Sequence, residues 1–223
     1  MPIRKTFLQK GSGKNVQPGL LAEFVRAQDE RGLEAYLLIH ALASGNDFSC
    51  RYPATTWALT LGLFETATKK SATGAVSKIM KRLDNRGLIS RDRVGRQLSV
   101  TLLDENGQGG EYTHPHNTDE QYFRLPYTYW RKSYYKTLSL PAKAMLLISL
   151  SQKDGFSLPV ERTPGWYGIS ADTAERGFRE LREHSVLETD ATWKRDYRSS
   201  IMHTKDFKHT LIGDFSLAAR NAD

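Results

Sequence analysis

Cysteine is almost missing from this sequence. Cys50 stands alone, so no internal disulfide can form, which fits a reducing cytosol. Long apolar runs are missing too: the longest aliphatic stretch, around residues 144–150, is far below the roughly 20 residues a membrane span needs. Residues 1–14 carry basic side chains with no apolar segment behind them, so no secretory signal is read and a cytoplasmic protein is expected. Catalytic signatures are equally sparse. Gly11, Ser12, Gly13 and Lys14 fail as a phosphate loop, because Leu8 stands where the earlier glycine belongs and Asn15 where Ser or Thr would hold magnesium. His114 and His116 flank Pro115 without a zinc-type spacing. No acid pair or nucleophile motif stands out, so neither an enzyme nor a cofactor is expected.

What is present is enough to fold. Hydrophobic residues make up 39% of the 223, including nine Phe, ten Tyr and four Trp. The net charge of +7 is concentrated: between residues 69 and 96 stand nine cations (Lys69, Lys70, Lys78, Lys81, Arg82, Arg86, Arg91, Arg93 and Arg96) against Asp84 and Asp92. Arg4, Lys5, Lys10 and Lys14 add a second basic cluster with no acid before Glu23. Such clustering is the footprint of a protein that neutralises phosphates, although a solvated surface face would read the same way from charge alone.

Three units are expected. Residues 1–18 read as a basic flexible arm, interrupted by Gly11, Ser12, Gly13, Asn15 and Pro18. Residues 19–106 form a first domain, and 107–223 a linker followed by a second, the boundary lying in the polar, Gly-rich stretch 104–120. In the first domain a helix is expected over about 33–43, a second after Pro53, and a third from near Ser71. In that third helix Ala72, Val76, Ile79 and Leu83 recur at spacings of four, three and four, one buried stripe ended by Gly87. Residues 88–93 and 97–103 then read as strands joined by a tight turn at Val94, Gly95 and Arg96.

The segment 33–103 resembles the winged helix-turn-helix DNA-binding superfamily, through LGL at 61–63, KRLDNRGLI at 81–89 and the RDRVGR hairpin. The resemblance implies that the third helix enters the major groove and the wing touches the backbone or minor groove. Eight residues, FETATKKS at 64–71, separate LGL from the third helix, more than the usual tight turn. The second half repeats the plan with helices at 138–155, 159–170 and 170–188 and a second wing at 188–207, but without the eight-residue insertion. The expected fold class is therefore α+β, mainly α, with tandem winged helix-turn-helix domains.

Opposite the buried stripe the third helix presents Gly74, Lys78, Lys81 and Asn85, flanked by Lys69, Lys70, Ser71, Thr73, Ser77 and Arg82. Lys and Asn suit base edges, and Ser and Lys also hold phosphates. Gly74 would either let the backbone approach DNA closely or mark a late helix start. Arg91 and Arg93 share a strand face, with Arg96 at the hairpin tip. In the second half Thr173, Arg176, Glu180 and Glu183 are expected to point outward from the third helix. Only its wing, with Lys194, Arg195 and Arg198 near Trp193 and Tyr197, suits nucleic acid. The run RLPYTYWRKSYYK at 124–136 interleaves rings and cations as single-strand binders do, but packing is the preferred reading.

These features lead to a sequence-specific binder of double-stranded DNA, expected on the nucleoid as a transcriptional regulator. A replication initiator of a plasmid or mobile element, which tandem winged helices also resemble, is the first alternative. A winged-helix adaptor that binds protein is the second. The second half is left with weak DNA contact, self-association into a homodimer, or partner binding.

Overall fold

The computed structural model describes every residue except 12, 14, 44, 46, 66, 96, 196–202 and 223. The chain opens with three short strands, β1 (Pro2–Arg4), β2 (Gln9–Lys10) and β3 (Gln17–Pro18), followed by α1 (Leu21–Arg26) and α2 (Glu30–Leu42). Asp29 caps α2 by accepting the Gly32 amide at 3.0 Å, and Gly32 to His40 are all buried, so this helix has no solvent face over most of its length. Next come β4 (Ser49–Pro53), α3 (Ala54–Thr60), α4 (Lys69–Asn85) and the hairpin β5 (Ile89–Val94) and β6 (Gln97–Leu102). The sheet order is β4-β6-β5, all antiparallel, with Cys50 opposite Val100 and Val100 opposite Arg91.

The second half starts with β7 (Tyr122–Arg124), α5 (Thr128–Arg131), α6 (Tyr134–Thr137) and the central helix α7 (Leu140–Leu150). α7 is buried on nearly every side, like α2. Then follow α8 (Thr163–Tyr167), α9 (Ala171–Glu183), the long hairpin β8 (Leu187–Arg195) and β9 (His203–Leu211), and α10 (Leu217–Ala222). Helices form the larger share, so the fold is α+β with small sheets.

The halves repeat one order with matching details. Gly62 after α3 and Gly168 after α8 both take a left-handed backbone, φ 65°, and both precede a buried apolar residue. The pairing of Cys50 with Val100 has its counterpart in a single bridge between Phe156 and His209. Thr68 and Ser170 cap α4 and α9 by accepting the amides of Ser71 and Thr173. The helices differ in length, 17 residues against 13, so about half of the eight-residue insertion becomes an extra N-terminal turn of α4. Phe64 and Glu65 of the rest fall in the 3-10 turn Leu63–Glu65.

Two expectations fail. Residues 1–18 are not a flexible arm: β1 pairs with β7, and Ile3, Phe7 and Leu8 are buried. Arg4 is fully buried. Its Nη1 donates to Glu105 Oε2 at 2.7 Å, its Nη2 to the Thr113 carbonyl at 2.7 Å, and its Nε pairs with Glu120. That cation belongs to the core, because an ion drawn out of water must be matched there. The Gly-rich stretch 104–120 supplies these partners and is not an open linker. Buried residues of both halves accordingly form one continuous cluster. Lys143 of α7 ties it together, reaching Glu30 at 2.6 Å and Glu34 at 3.0 Å on α2. The ring-rich run 124–136 packs in large part: Tyr129 is buried and donates to Glu34 at 2.5 Å, and Trp130, Tyr134 and Tyr135 lie half-buried against the core, while Tyr127 stays exposed.

Candidate nucleic-acid interface

α4 forms because Ala72, Val76, Ile79, Met80 and Leu83 make one apolar stripe, all buried. Met80 is the member the spacing argument missed. About 26 Å long at 1.5 Å per residue, the helix turns Lys70, Ser71, Gly74, Ser77, Lys78, Lys81 and Asn85 to solvent along the other side, with Lys69 exposed in its first turn. Thr73 is half-buried, and its hydroxyl donates back to the carbonyls of Lys69 and Lys70 at 3.0 and 3.1 Å. Gly74 lies in the second turn and so does not mark the helix start. A Cβ there would meet nothing within 4 Å, so packing does not demand the glycine.

Arg82 is a different kind of residue. Its Nε and Nη2 grip Asp29 at 2.9 and 2.6 Å, and Arg86 adds a third bond to the same carboxylate at 2.6 Å. Burial pushes the Asp29 carboxyl up, but the two guanidiniums outweigh it and hold it below its ordinary value. The Arg86 guanidinium also lies 4.3 Å over the Phe24 ring. Asp29 thus caps α2 and anchors α4 together. The same position in the second half repeats the device with other chemistry: Glu180, one residue before the buried Leu181 as Arg82 is before Leu83, accepts from the Ser139 amide at 2.7 Å and from its hydroxyl. Ser139 is the N-cap of α7. Glu180 therefore turns to its own first helix and not outward as expected.

Arg91 and Arg93 do share a strand face, opposite Val100 and Leu98. That face is turned to α4, and together with Ser77, Met80, Asp84, Asp92 and Leu98 they line a cleft of about 290 Å³ between helix and hairpin. Arg91 Nε is bound by Asp84 Oδ2 at 2.9 Å. Hence Lys69, Lys70, Lys78, Lys81 and Arg93 remain as exposed cations with no carboxylate partner among the described residues. Arg96, Lys14 and Arg198 lie outside the described residues, as do the side chains of Lys194 and Arg195.

The equivalent groove in the second half holds about 800 Å³ and is lined with Glu175, Phe178, Arg182, Phe207 and His209. Arg182 is taken by Glu175 and Arg176 by Asp172, each at 3.2 Å, so the exposed side of α9 carries mixed charge. His209 stacks on Phe178 at 4.4 Å, and burial brings its pKa down to about 4. No run of free lysines comparable to that of α4 occurs on α9.

No protein-family model, curated protein or solved structure matches this chain.

The ion pairs of Arg82 and Arg91 decide which cations can meet a polyanion. The pairing of Arg91 with Asp84, seven residues apart across the turn from helix to strand, was open to inference from the hairpin register. The pairing of Arg82 with Asp29 spans 53 residues and carries no local signal.

Proposed function

We propose that the chain is a tandem winged helix-turn-helix protein that binds double-stranded DNA sequence-specifically, as a transcriptional regulator, through α4 and the β5–β6 hairpin. Support comes from the order helix, helix, helix, hairpin in both halves, with strand β4 after the first helix of one half and the single Phe156–His209 bridge at that place in the other, and from a basic third helix in the first half only. The observation that carries the reading is the row Lys70, Lys78 and Lys81 along one side of α4, with Lys69 in its first turn, all exposed and without carboxylate partners among the described residues. Like charges so placed repel one another until an anion covers them, and a phosphate backbone does so while releasing its own counterions. Asn85, Lys78 and Lys81 carry the donors that read adenine and guanine edges, and Ser71 and Ser77 suit phosphates. The bound form of Arg82 assigns it to holding α4 in place, so it is left out of the contact set.

Selection of bound fragments from genomic DNA tests this reading. A regulator enriches one motif overlapping promoters; motif copies clustered in an origin would reassign the protein as a replication initiator. Failure to retain any duplex at low salt would overturn DNA binding and favour a protein adaptor.

A further inference from the structure

A cavity of about 590 Å³ lies between the two halves, remote from α4 and the hairpin in that neither contributes a lining residue. Its aliphatic wall is Leu38 and Leu42 of α2 and Leu61 at the end of α3. Its other wall is three rings, Tyr127, Trp130 and Tyr135, from the segment leading into α7. One buried carboxylate, Glu34, lines it as well, only 8% exposed, its Oε1 accepting from the Tyr129 hydroxyl and Lys143. The walls are fastened to each other from outside, since Lys136 reaches Glu65 in the α3–α4 connection at 3.0 Å.

We propose that this cavity is a binding site for a small, neutral, aromatic molecule carrying one hydrogen-bond donor, held between the rings and the aliphatic wall with its donor toward Glu34. The volume falls within the range of pockets for small organic ligands, which are typically apolar with few polar groups placed to orient the guest. Three rings on one wall favour a planar aromatic guest, which packs on ring faces and edges at low entropic cost. The charge follows from the lining: its cation, Arg131, is exposed to water and already engaged within the protein, which leaves Glu34 as the ion a guest meets out of water. An anion would meet the Glu34 carboxylate where little water screens it, and a cation would have to displace Lys143 from a pair it already satisfies. A neutral O–H or N–H donor adds a hydrogen bond without the cost of stripping an ion. The inference does not depend on DNA binding.

Calorimetric titration of the full chain with 2-naphthol, and with 2-methoxynaphthalene, which keeps the rings but lacks the donor, tests the proposal. Saturable one-to-one binding of 2-naphthol below about 1 mM is expected for a ligand of this size, at least fivefold tighter than its methyl ether. Leu42→Trp and Ala41→Leu both fill the cavity from half-buried positions, and each should weaken binding at least tenfold. If Leu42→Trp does not fold, as seen by circular dichroism, the Ala41→Leu variant decides. No saturable binding, or binding unchanged in the folded variants, would overturn the site. Equal affinity for the two probes would overturn the role given to Glu34.

Discussion

Arg82 and Lys81 are neighbours in sequence with opposite assignments, and substituting each by Ala separates structure from recognition. Arg82→Ala removes two charge-assisted hydrogen bonds to Asp29, a carboxylate only 9% exposed that also caps α2. A hydrogen bond to a charged group contributes about 1.5–3 kcal/mol. The Arg82 side chain is 43% exposed and Arg86 keeps its own bond to Asp29, so solvent screening and the remaining partner reduce the loss to about 1–2 kcal/mol. For a chain of this size each kcal/mol moves the melting temperature by about 2–4 °C. Arg82→Ala should therefore melt about 2–8 °C lower. The salt dependence of its duplex binding should be unchanged. Lys81→Ala should show the reverse, within about 0.5 kcal/mol of wild-type stability but with one phosphate contact fewer. Thermal denaturation followed by circular dichroism, with duplex titrations on the same samples, reads both quantities. An Arg82→Ala protein with wild-type melting and a flatter salt plot would refute the assignment of Arg82 to the fold.

Three further outcomes follow from the same geometry. His209, buried against Phe178 and hydrogen-bonded to Thr189, has its pKa depressed from 6.5 to about 4, so the unfolded chain takes up the proton first as pH falls. The stability it contributes is full above about pH 6.5 and is lost down to about pH 4. The stability advantage of wild type over His209→Phe should shrink by about 2 kcal/mol between pH 7 and pH 5 in urea titrations, and a constant difference would count against a buried neutral ring. Lys143→Met leaves Glu34 buried without its cation and should cost about 3–5 kcal/mol, much of it recovered in the Lys143→Met, Glu34→Gln double variant; a denaturant midpoint within error of wild type would refute the central ion cluster. Gly168→Ala forces a left-handed backbone on a residue with a Cβ and brings that atom to 2.8 Å from the Ala22 Cβ, so it should lower stability by about 1–3 kcal/mol; unchanged melting would contradict the close packing of the halves there.

The parts of this fold visible in the sequence are those governed by local periodicity. Ala72, Val76, Ile79 and Leu83 mark the buried side of α4 because a helix brings residues three and four apart onto one face, and its exposed lysines follow by subtraction. The hairpin was visible because Gly95 turns between two alternating strands. The strand β4 was not, since Ser49 to Pro53 bury only Cys50 and are held in the sheet by β6, some 50 residues away. The N-terminal strand was read as an arm for the same reason. Its pairing partner is β7, more than a hundred residues on, and the acids that neutralise Arg4 sit in the stretch that looked like a linker. Charge counting placed Arg82 among the free cations because its partner Asp29 lies 53 residues away, and Arg91 among them because the fold of the hairpin back onto α4, which brings it to Asp84, was not followed. About half of the insertion before α4 lengthens that helix, because Lys69 to Ala72 continue its exposed and buried sides one turn further.

The most direct test of the central claim is the slope of log affinity against log salt for a duplex, wild type against Lys70→Ala, Lys78→Ala, Lys81→Ala combined. Each phosphate contact contributes about 0.9 to that slope, so the triple variant should bind more weakly and its slope should fall by up to about 2.7 with its melting temperature preserved. An unchanged affinity and slope in a folded variant would contradict a phosphate-binding face on α4.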